Sequence, residues 1–265
     1  MNSQFNFIFI TQDDPFYVRC FFEEFLKTYS NPKEIQAVVI QKPLGKKSTW
    51  GLMKQMYAFY GSVDFFRMGF RYLKTKAFSK MSQIVPKPEW FHLEELCKVY
   101  NIEVIHQNGI HQAEFLDTLR RKNLDLIISV AASSVFKQEL IDIPPLGCIN
   151  IHHAPLPRYR GMLPNFWQLY HGEKTVGLTI HKINPRIDEG EIILQKEVPV
   201  ESGESLDHLI KRTKRLGAHS MIEAIEMLKK GKAQYQPNRP EEGSYFSFPT
   251  KEDVKRFRSM GHRLL

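Results

Sequence analysis

Cysteine is scarce in this sequence and poorly arranged for cross-linking. There are three in 265 residues, Cys20, Cys97 and Cys148, an odd number with no C-x-x-C spacing. Neither a disulfide framework nor a structural zinc site is expected, and a reducing compartment is the default. Long apolar runs are missing too, since none approaches the ~18 uninterrupted residues that argue for a membrane span. The first eleven residues are too short in their apolar part, and too poor in Lys and Arg, for a signal peptide. The expectation is a soluble, cytoplasmic protein without a transmembrane segment. No internal repeat or low-complexity tract occurs, and 42% hydrophobic and 25% charged residues are ordinary for a globular protein. Disordered and collagen-like classes are excluded.

What is present in excess is positive charge, a net +8, and it is concentrated. Residues 42–81 hold nine basic side chains (Lys42, Lys46, Lys47, Lys54, Arg67, Arg71, Lys74, Lys76 and Lys80) against one acid, Asp64, so the remainder of the chain is neutral. The same segment carries Trp50, Tyr57, Phe59, Tyr60, Phe65, Phe66, Phe70, Tyr72 and Phe78. It reads as one or two amphipathic helices, with aromatics packed on the domain and lysines in water. A basic aromatic segment also suits phosphate, in nucleic acid or in anionic lipid.

Around that segment, short apolar runs alternate with longer amphipathic ones. This pattern predicts an α/β fold, Rossmann-like, with a largely parallel sheet and helices on both faces. Strands are expected at residues 5–11, 34–41, 103–106, 124–130, 147–152, 176–183 and 191–198. Helices are expected at 16–29, with an Asp of the preceding turn as its cap, and at 88–100, 112–122, 134–140, 164–171 and about 204–230. Residues 1–232 then form one catalytic domain with an insertion at about 42–86. Residues 233–265 form a Pro-broken C-terminal extension with a basic amphipathic finish.

The densest cluster of reactive residues lies between Cys148 and Glu191. Asn150 and His152 alternate at the end of a predicted strand and so share a face. Ligands of open α/β sheets bind outside the carboxyl ends of strands. A stiff loop follows, Ala154-Pro155-Leu156-Pro157-Arg158-Tyr159-Arg160-Gly161. Further on, Asp188 sits on a loop between two strands. An amide can donate to an oxyanion, an imidazolium can donate and act as general acid, and a carboxylate can hold that imidazole charged. No Ser or Cys in the cluster has the setting of a nucleophile, which favours direct acyl transfer to an external nucleophile. Taken singly, Asn150 and His152 could be a satisfied strand end and Asp188 a turn acid. Arg158 and Arg160 are either solvated loop charges or a fork for a substrate carboxylate or phosphate. His171, His181, His208 and His219 read as ordinary surface or helix histidines.

Asn150-x-His152, then Leu156-Pro157-Arg158-Tyr159-Arg160-Gly161, Val176-Gly177-Leu178-Thr179-Ile180 and Ile187-Asp188-Glu189-Gly190-Glu191 together resemble the 10-formyltetrahydrofolate-dependent formyltransferases. That family spans methionyl-tRNA formyltransferase, glycinamide ribonucleotide transformylase and the sugar N-formyltransferases. The resemblance is specific over about residues 124–228. It implies that Asn150 and His152 stabilise the tetrahedral intermediate formed when an amine attacks the formyl carbon. His152 would help protonate the departing folate nitrogen, and Asp188 would keep His152 charged and accept the amine's proton. It implies a folate pocket at residues 131–135, with Ser133, Ser134 and Val135, at Ala154, Pro155, Leu156 and Pro157, and at the backbone near Asp188 and Gly190. No metal is required. Two departures are Ala154, where the family often has Ser, and His153, where it usually has a small residue or proline.

The implied activity is formyl transfer from 10-formyltetrahydrofolate to a primary amine of a small molecule, a nucleotide-linked amino sugar among the candidates. The tRNA enzymes normally continue into a C-terminal barrel domain, which favours the small acceptor. Lys42-Pro43-Leu44-Gly45-Lys46-Lys47 resembles their basic acceptor-stem loop, which keeps tRNA as the alternative. A formyltetrahydrofolate hydrolase, or a binding protein with a formyltransferase-like shell docking on RNA or anionic membrane, are the readings from other classes.

Overall fold

The apolar run at the N-terminus becomes the centre of the molecule. The computed structural model describes residues 4–14, 16–42, 49–81 and 92–265. Its elements in chain order are β1 (Phe7–Gln12), α1 (Val18–Thr28), β2 (Ile35–Gln41), α2 (Thr49–Met81), α3 (Leu93–Val99), β3 (Val104–His106), α4 (Ala113–Arg121), β4 (Leu126–Val130), α5 (Gln138–Ile141), β5 (Cys148–His152), β6 (Arg160–Gly161), α6 (Pro164–Tyr170), β7 (Thr175–Lys182), β8 (Ile192–Pro199), α7 (Leu206–Lys229), β9 (Tyr245–Phe246) and α8 (Lys251–Ser259).

Seven strands form one sheet in the order β3-β2-β1-β4-β5-β7-β8. The five from β3 to β5 are parallel, and β7 and β8 are added antiparallel at one edge. Alternation along β1 decides what covers each face. Phe7 and Phe9 pack into the cluster with Phe21, Phe22 and Phe25 of α1 and with Met221 and Ile225 of α7. Ile8 and Ile10 join Phe115, Leu116 and Leu119 of α4 on the other face. The Phe9 ring meets those of Phe22 and Phe25 edge-on at 5.0 Å, a favoured aromatic geometry. All three cysteines are free and buried, and burial pushes the Cys97 thiol up to about 12.

Several expected elements shift. Helix α5 covers only Gln138–Ile141, not 134–140, because residues 131–136 form an irregular loop. Of the helix expected at 88–100, residues 93–99 are helical, and 88–91 lie outside the described residues. The expected Asp cap is not made: α1 starts at Val18, two residues later than expected, its N-cap Tyr17 makes no side-chain cap bond, and Asp14 Oδ1 accepts instead from the Phe16 and Tyr17 amides of the preceding turn at 2.8 and 3.3 Å. Helix α2 is two helices meeting at Gly61 (φ 67°, ψ 176°). Phe59, Tyr60 and Met68 of α2 are buried in a second cluster with Phe166, Trp167 and, from the C-terminal segment, Val254 and Phe257. Residues 43–48 and 82–86 of the expected insertion lie outside the described residues, as does the 43–47 part of the basic loop.

The C-terminal segment is stitched onto the body. Strand β9 pairs with β6, Phe257 stacks on Phe166 at 4.6 Å, and Arg258 donates to the Tyr60 carbonyl and to Asp64 at 2.6 and 2.8 Å. Close backbone approach also shapes the loop after β5. A Cβ on Gly177 of β7 would lie 2.4 Å from the Pro155 backbone nitrogen, whereas one on Gly69 in α2 meets nothing within 4 Å. Gly177→Ala is therefore expected to lose about 1–3 kcal/mol of stability by overpacking. Gly69→Ala should be neutral or gain up to about 1 kcal/mol from helix propensity. Urea denaturation of the two variants checks the difference in sign.

Candidate active site

The site lies where β4 and β5 end and the antiparallel β7 begins its return. Pairing of β5 with β7 places Asn150 opposite His181 and His152 opposite Thr179. Directly opposed residues share a face of the sheet, so four polar side chains face one side at the edge of an apolar core. Lys182 offers only a carbonyl to His181 Nδ1, 2.7 Å away, so Nδ1 carries the proton. His181 Nε2 is then an acceptor, and it takes a hydrogen bond from Asn150 Nδ2 at 3.1 Å. Burial pushes the His181 pKa down to about 4, against the pull of the Asp188 carboxylate. A neutral His181 thus fixes which way the Asn150 amide points.

His152 is buried and donates from Nε2 to the Tyr159 carbonyl at 2.8 Å. Its Nδ1 faces Asp188 Oδ2 at 3.6 Å, and Asp188 Oδ1 stands 3.7 Å from His181 Nε2. The carboxylate lies between the two imidazoles. Asp188 itself adopts left-handed backbone (φ 55°), a conformation tolerated best by Gly, Asn and Asp. Four contacts hold its loop there. Gly161 N donates to Oδ2 at 3.0 Å, Asn238 Nδ2 donates to the carbonyls of Asp188 and Gly190 at 2.9 and 3.0 Å, and Gly190 lies so close to the Lys182 carbonyl that a Cβ would sit 1.8 Å from it.

The two loops predicted to receive folate are pinned by side chains. Thr179 Oγ1 donates to the Ala154 carbonyl at 2.6 Å, and Gln195 Nε2 donates to the Leu156 carbonyl at 3.0 Å. Beyond β4, Gln41 at the end of β2 accepts from Ser133 N at 3.0 Å and donates to Ser134 Oγ at 2.8 Å. Ala131 opens that loop at φ 54°, and Val135 is exposed. Among these residues Pro155, Leu156, Pro157 and Gly190 flank the Asn150 and His152 strand end, and Ser133, Ser134 and Val135 follow the neighbouring strand. A cleft of about 390 Å³ lies outside the Asp188 loop, lined by Asn184, Pro185, Arg186, Glu189, Asn238 and Pro240.

The arginines are engaged within the chain. Arg160 pairs with Glu189 at 2.5 Å in a largely buried setting, and the more exposed Arg158 pairs with Glu173 at 3.1 Å. His208 and His219 are exposed on α7 against Glu204 and Glu24, as surface histidines should be, but His181 corrects the same expectation. It is a buried strand residue bonded to Asn150, because the β5–β7 register brings it there. Asn238 and Gln41 were not foreseen either. Among the described residues, Glu201, Glu204 and His208 lie close enough to share a cation. They belong to the start of α7 and its preceding turn, include none of the residues above, and Glu204 already binds Arg212 at 2.7 Å.

His153 is turned towards α7, its Cε1 beside Gly217, with neither ring nitrogen partnered. Burial, and then the Lys214 cation, hold its pKa well below the ordinary imidazole range. Both buried imidazoles take a proton more readily in the unfolded chain, where the pKa is about 6.5. Their stabilisation is complete above that pH and is lost as pH falls below it, for His181 down to its folded value of about 4. Each adds up to about 1.4 kcal/mol per pH unit to the slope. Urea midpoints measured from pH 7.5 down to 4.5 should fall, and His153→Leu should flatten the fall by about one proton's worth.

Residues 74–225 match the model of the formyl transferase family. The chain is 38% identical over 154 residues to the methionyl-tRNA formyltransferase of Syntrophus aciditrophicus (strain SB), covering 58% of this chain and 49% of that protein. It is 32% identical over 172 residues to that of Kosmotoga olearia, covering 65% and 54%. The chain thus spans about half the length of the curated relatives it matches. Among solved structures, phosphoribosylglycinamide formyltransferase from Anaplasma phagocytophilum superposes with a TM-score of 0.60 at 17% identity over 93% of this chain and 100% of that one. The N-formyltransferase from Helicobacter canadensis, in complex with folinic acid and dTDP-3-aminofucose, gives 0.56 at 16% identity over 94% and 78%. At such identities the likeness is one of fold. With the family model covering more than half of its length, the chain belongs to the formyl transferase family.

Proposed function

We propose that this protein transfers a formyl group from 10-formyltetrahydrofolate to a primary amine of a small molecule, a nucleotide-linked amino sugar being the favoured class, and works in the cytoplasm. The observation that carries the proposal is the convergence of Asn150, His152 and Asp188, with a neutral His181 orienting the amide. Asn150 is half-buried and open to a ligand, whereas His152 and Asp188 are shielded. The donor set suits an acyl centre, with an amide for the developing oxyanion, an imidazole for the leaving nitrogen and a carboxylate for the incoming proton.

In this account the amine nitrogen bonds to the formyl carbon, Asn150 donates to the oxygen as it gains charge, and Asp188 takes the amine's proton directly or through water. Protonated His152 adds positive charge beside the oxyanion. As its Nε2–H leaves the Tyr159 carbonyl for the folate nitrogen, it protonates the leaving group and the old C–N bond breaks. The backbone of residues 131–135 and 154–157, held by Gln41, Thr179 and Gln195, forms the folate cradle. The site residues need no metal for this sequence of steps.

An initiator tRNA is the second candidate acceptor, favoured by the similarity to methionyl-tRNA formyltransferases. Tetrahydrofolate release, followed with a panel of amino sugar nucleotides and with charged initiator tRNA, distinguishes the acceptors. Release without any amine would mean a hydrolase, and no folate binding would mean a non-enzymatic shell. Asn150→Ala, His152→Ala and Asp188→Asn are each expected to lower turnover about a hundredfold or more. Two of the three staying within a few-fold of wild type would overturn the assignment.

A further inference from the structure

Among the described residues, helix α2 carries two apolar faces and only one of them packs on the rest of the fold. In its second half, Met68 is buried in the cluster with Phe166 and Phe257. The same side is fixed to the body by Asp64, which accepts from Arg258, and by Arg71, which pairs with Asp207 at 3.2 Å. At 100° per residue, Val63, Phe66, Phe70 and Leu73 fall within an arc of about 80° centred opposite Met68. All four are exposed, Phe66 at 70% and Phe70 at 71%. Arg67, which also pairs with Asp64 at 3.4 Å, and Lys74 border the stripe on one side and Lys76 on the other, and all three are exposed. The first half adds exposed Trp50, at 75%, with Met53, Tyr57 and Lys54. Of the 17 large apolar side chains exposed among the described residues, nine lie in this one helix, so the exposure is a surface feature and not scatter.

We propose that the outward face of α2 docks on an anionic lipid bilayer, lying in the headgroup plane with the phenylalanines inserted and the cations on lipid phosphates. Charge complementarity selects this occupant. An interfacial helix has an apolar centre and basic edges, with Trp and Tyr at headgroup depth. An RNA surface needs cations along the phosphates and flat rings for stacking, whereas the centre here includes aliphatic Val63 and Leu73. A second copy docked face to face would bring basic edges of one sign together. Among the described residues no helix is long and apolar enough to cross a membrane, and the contact proposed is a peripheral one. The surface stands apart from the formyl-transfer proposal and is tested without it.

The full chain is sedimented with phosphatidylcholine vesicles, with and without about 30 mol % phosphatidylglycerol. Wild type should pellet with the anionic vesicles and stay in the supernatant with the neutral ones. Phe66→Ser with Phe70→Ser, and separately Arg67→Gln with Lys74→Gln, should each weaken the anionic binding about tenfold or more. Their unchanged circular dichroism and Tm would show the loss to be local. The proposal fails if wild type ignores anionic vesicles, including the case in which it instead binds a tRNA transcript. It fails if either double variant binds them as wild type does. It also fails if wild type sediments as a dimer that the phenylalanine variant dissolves, because a second copy then covers the face.

Discussion

The antiparallel pairing of β5 with β7 is the constraint on which the site depends. A parallel sheet ending at β5 would deliver Asn150 and His152 to a strand end with nothing beside them. Adding β7 in the opposite sense places His181 against Asn150 and Thr179 against His152. From that register follow the amide orientation, through a histidine that burial keeps neutral, and the clamp on the loop after β5, through Thr179 and its neighbour Gln195. The turn from β7 into β8 then returns Asp188 to the same edge. One slip of the register would turn every one of these side chains to the other face of the sheet.

The second requirement is that loops, not strands, carry the acid and the proposed folate cradle, so something rigid has to hold them. The C-terminal segment does much of this. Asn238 binds the carbonyls on either side of Glu189, Ser244 accepts from the Tyr159 amide at 2.9 Å and its carbonyl takes the Arg160 amide at the same distance, and β9 pairs with β6. The Arg158–Glu173 and Arg160–Glu189 pairs complete the clamp. With their guanidinium groups committed in this way, these arginines shape the loop, and any role towards an acceptor has to compete with Glu173 and Glu189.

Much of this was legible in the sequence, and the reasons are local. Parallel strands buried on both faces read as unbroken apolar runs, as in Leu126-Ile127-Ile128-Ser129-Val130, and Asn150-x-His152 at a strand end advertises two polar groups on one face. His181 was missed because nothing near it in sequence reveals its partner across the sheet. The available signal was the alternation of Thr179 and His181 with apolar Leu178 and Ile180, which marks a polar face on an otherwise buried strand. Asn238, Gln41 and Ser244 carried no such signal, since they act through contacts made only when distant segments meet. In α2 the sequence shows amphipathic helices, but not that the more exposed of the two apolar faces would be left facing outward.

The central claim is that Asn150, His152 and Asp188 surround one acyl centre. The most direct measurement is a crystal structure of the chain with a non-reactive analogue of 10-formyltetrahydrofolate. The account predicts the pterin against residues 131–135 and the formyl oxygen within hydrogen-bond reach of Asn150 Nδ2, with the formyl-bearing nitrogen on the His152 side. An analogue bound elsewhere, or bound with its formyl group turned away from Asn150 and His152, would contradict it.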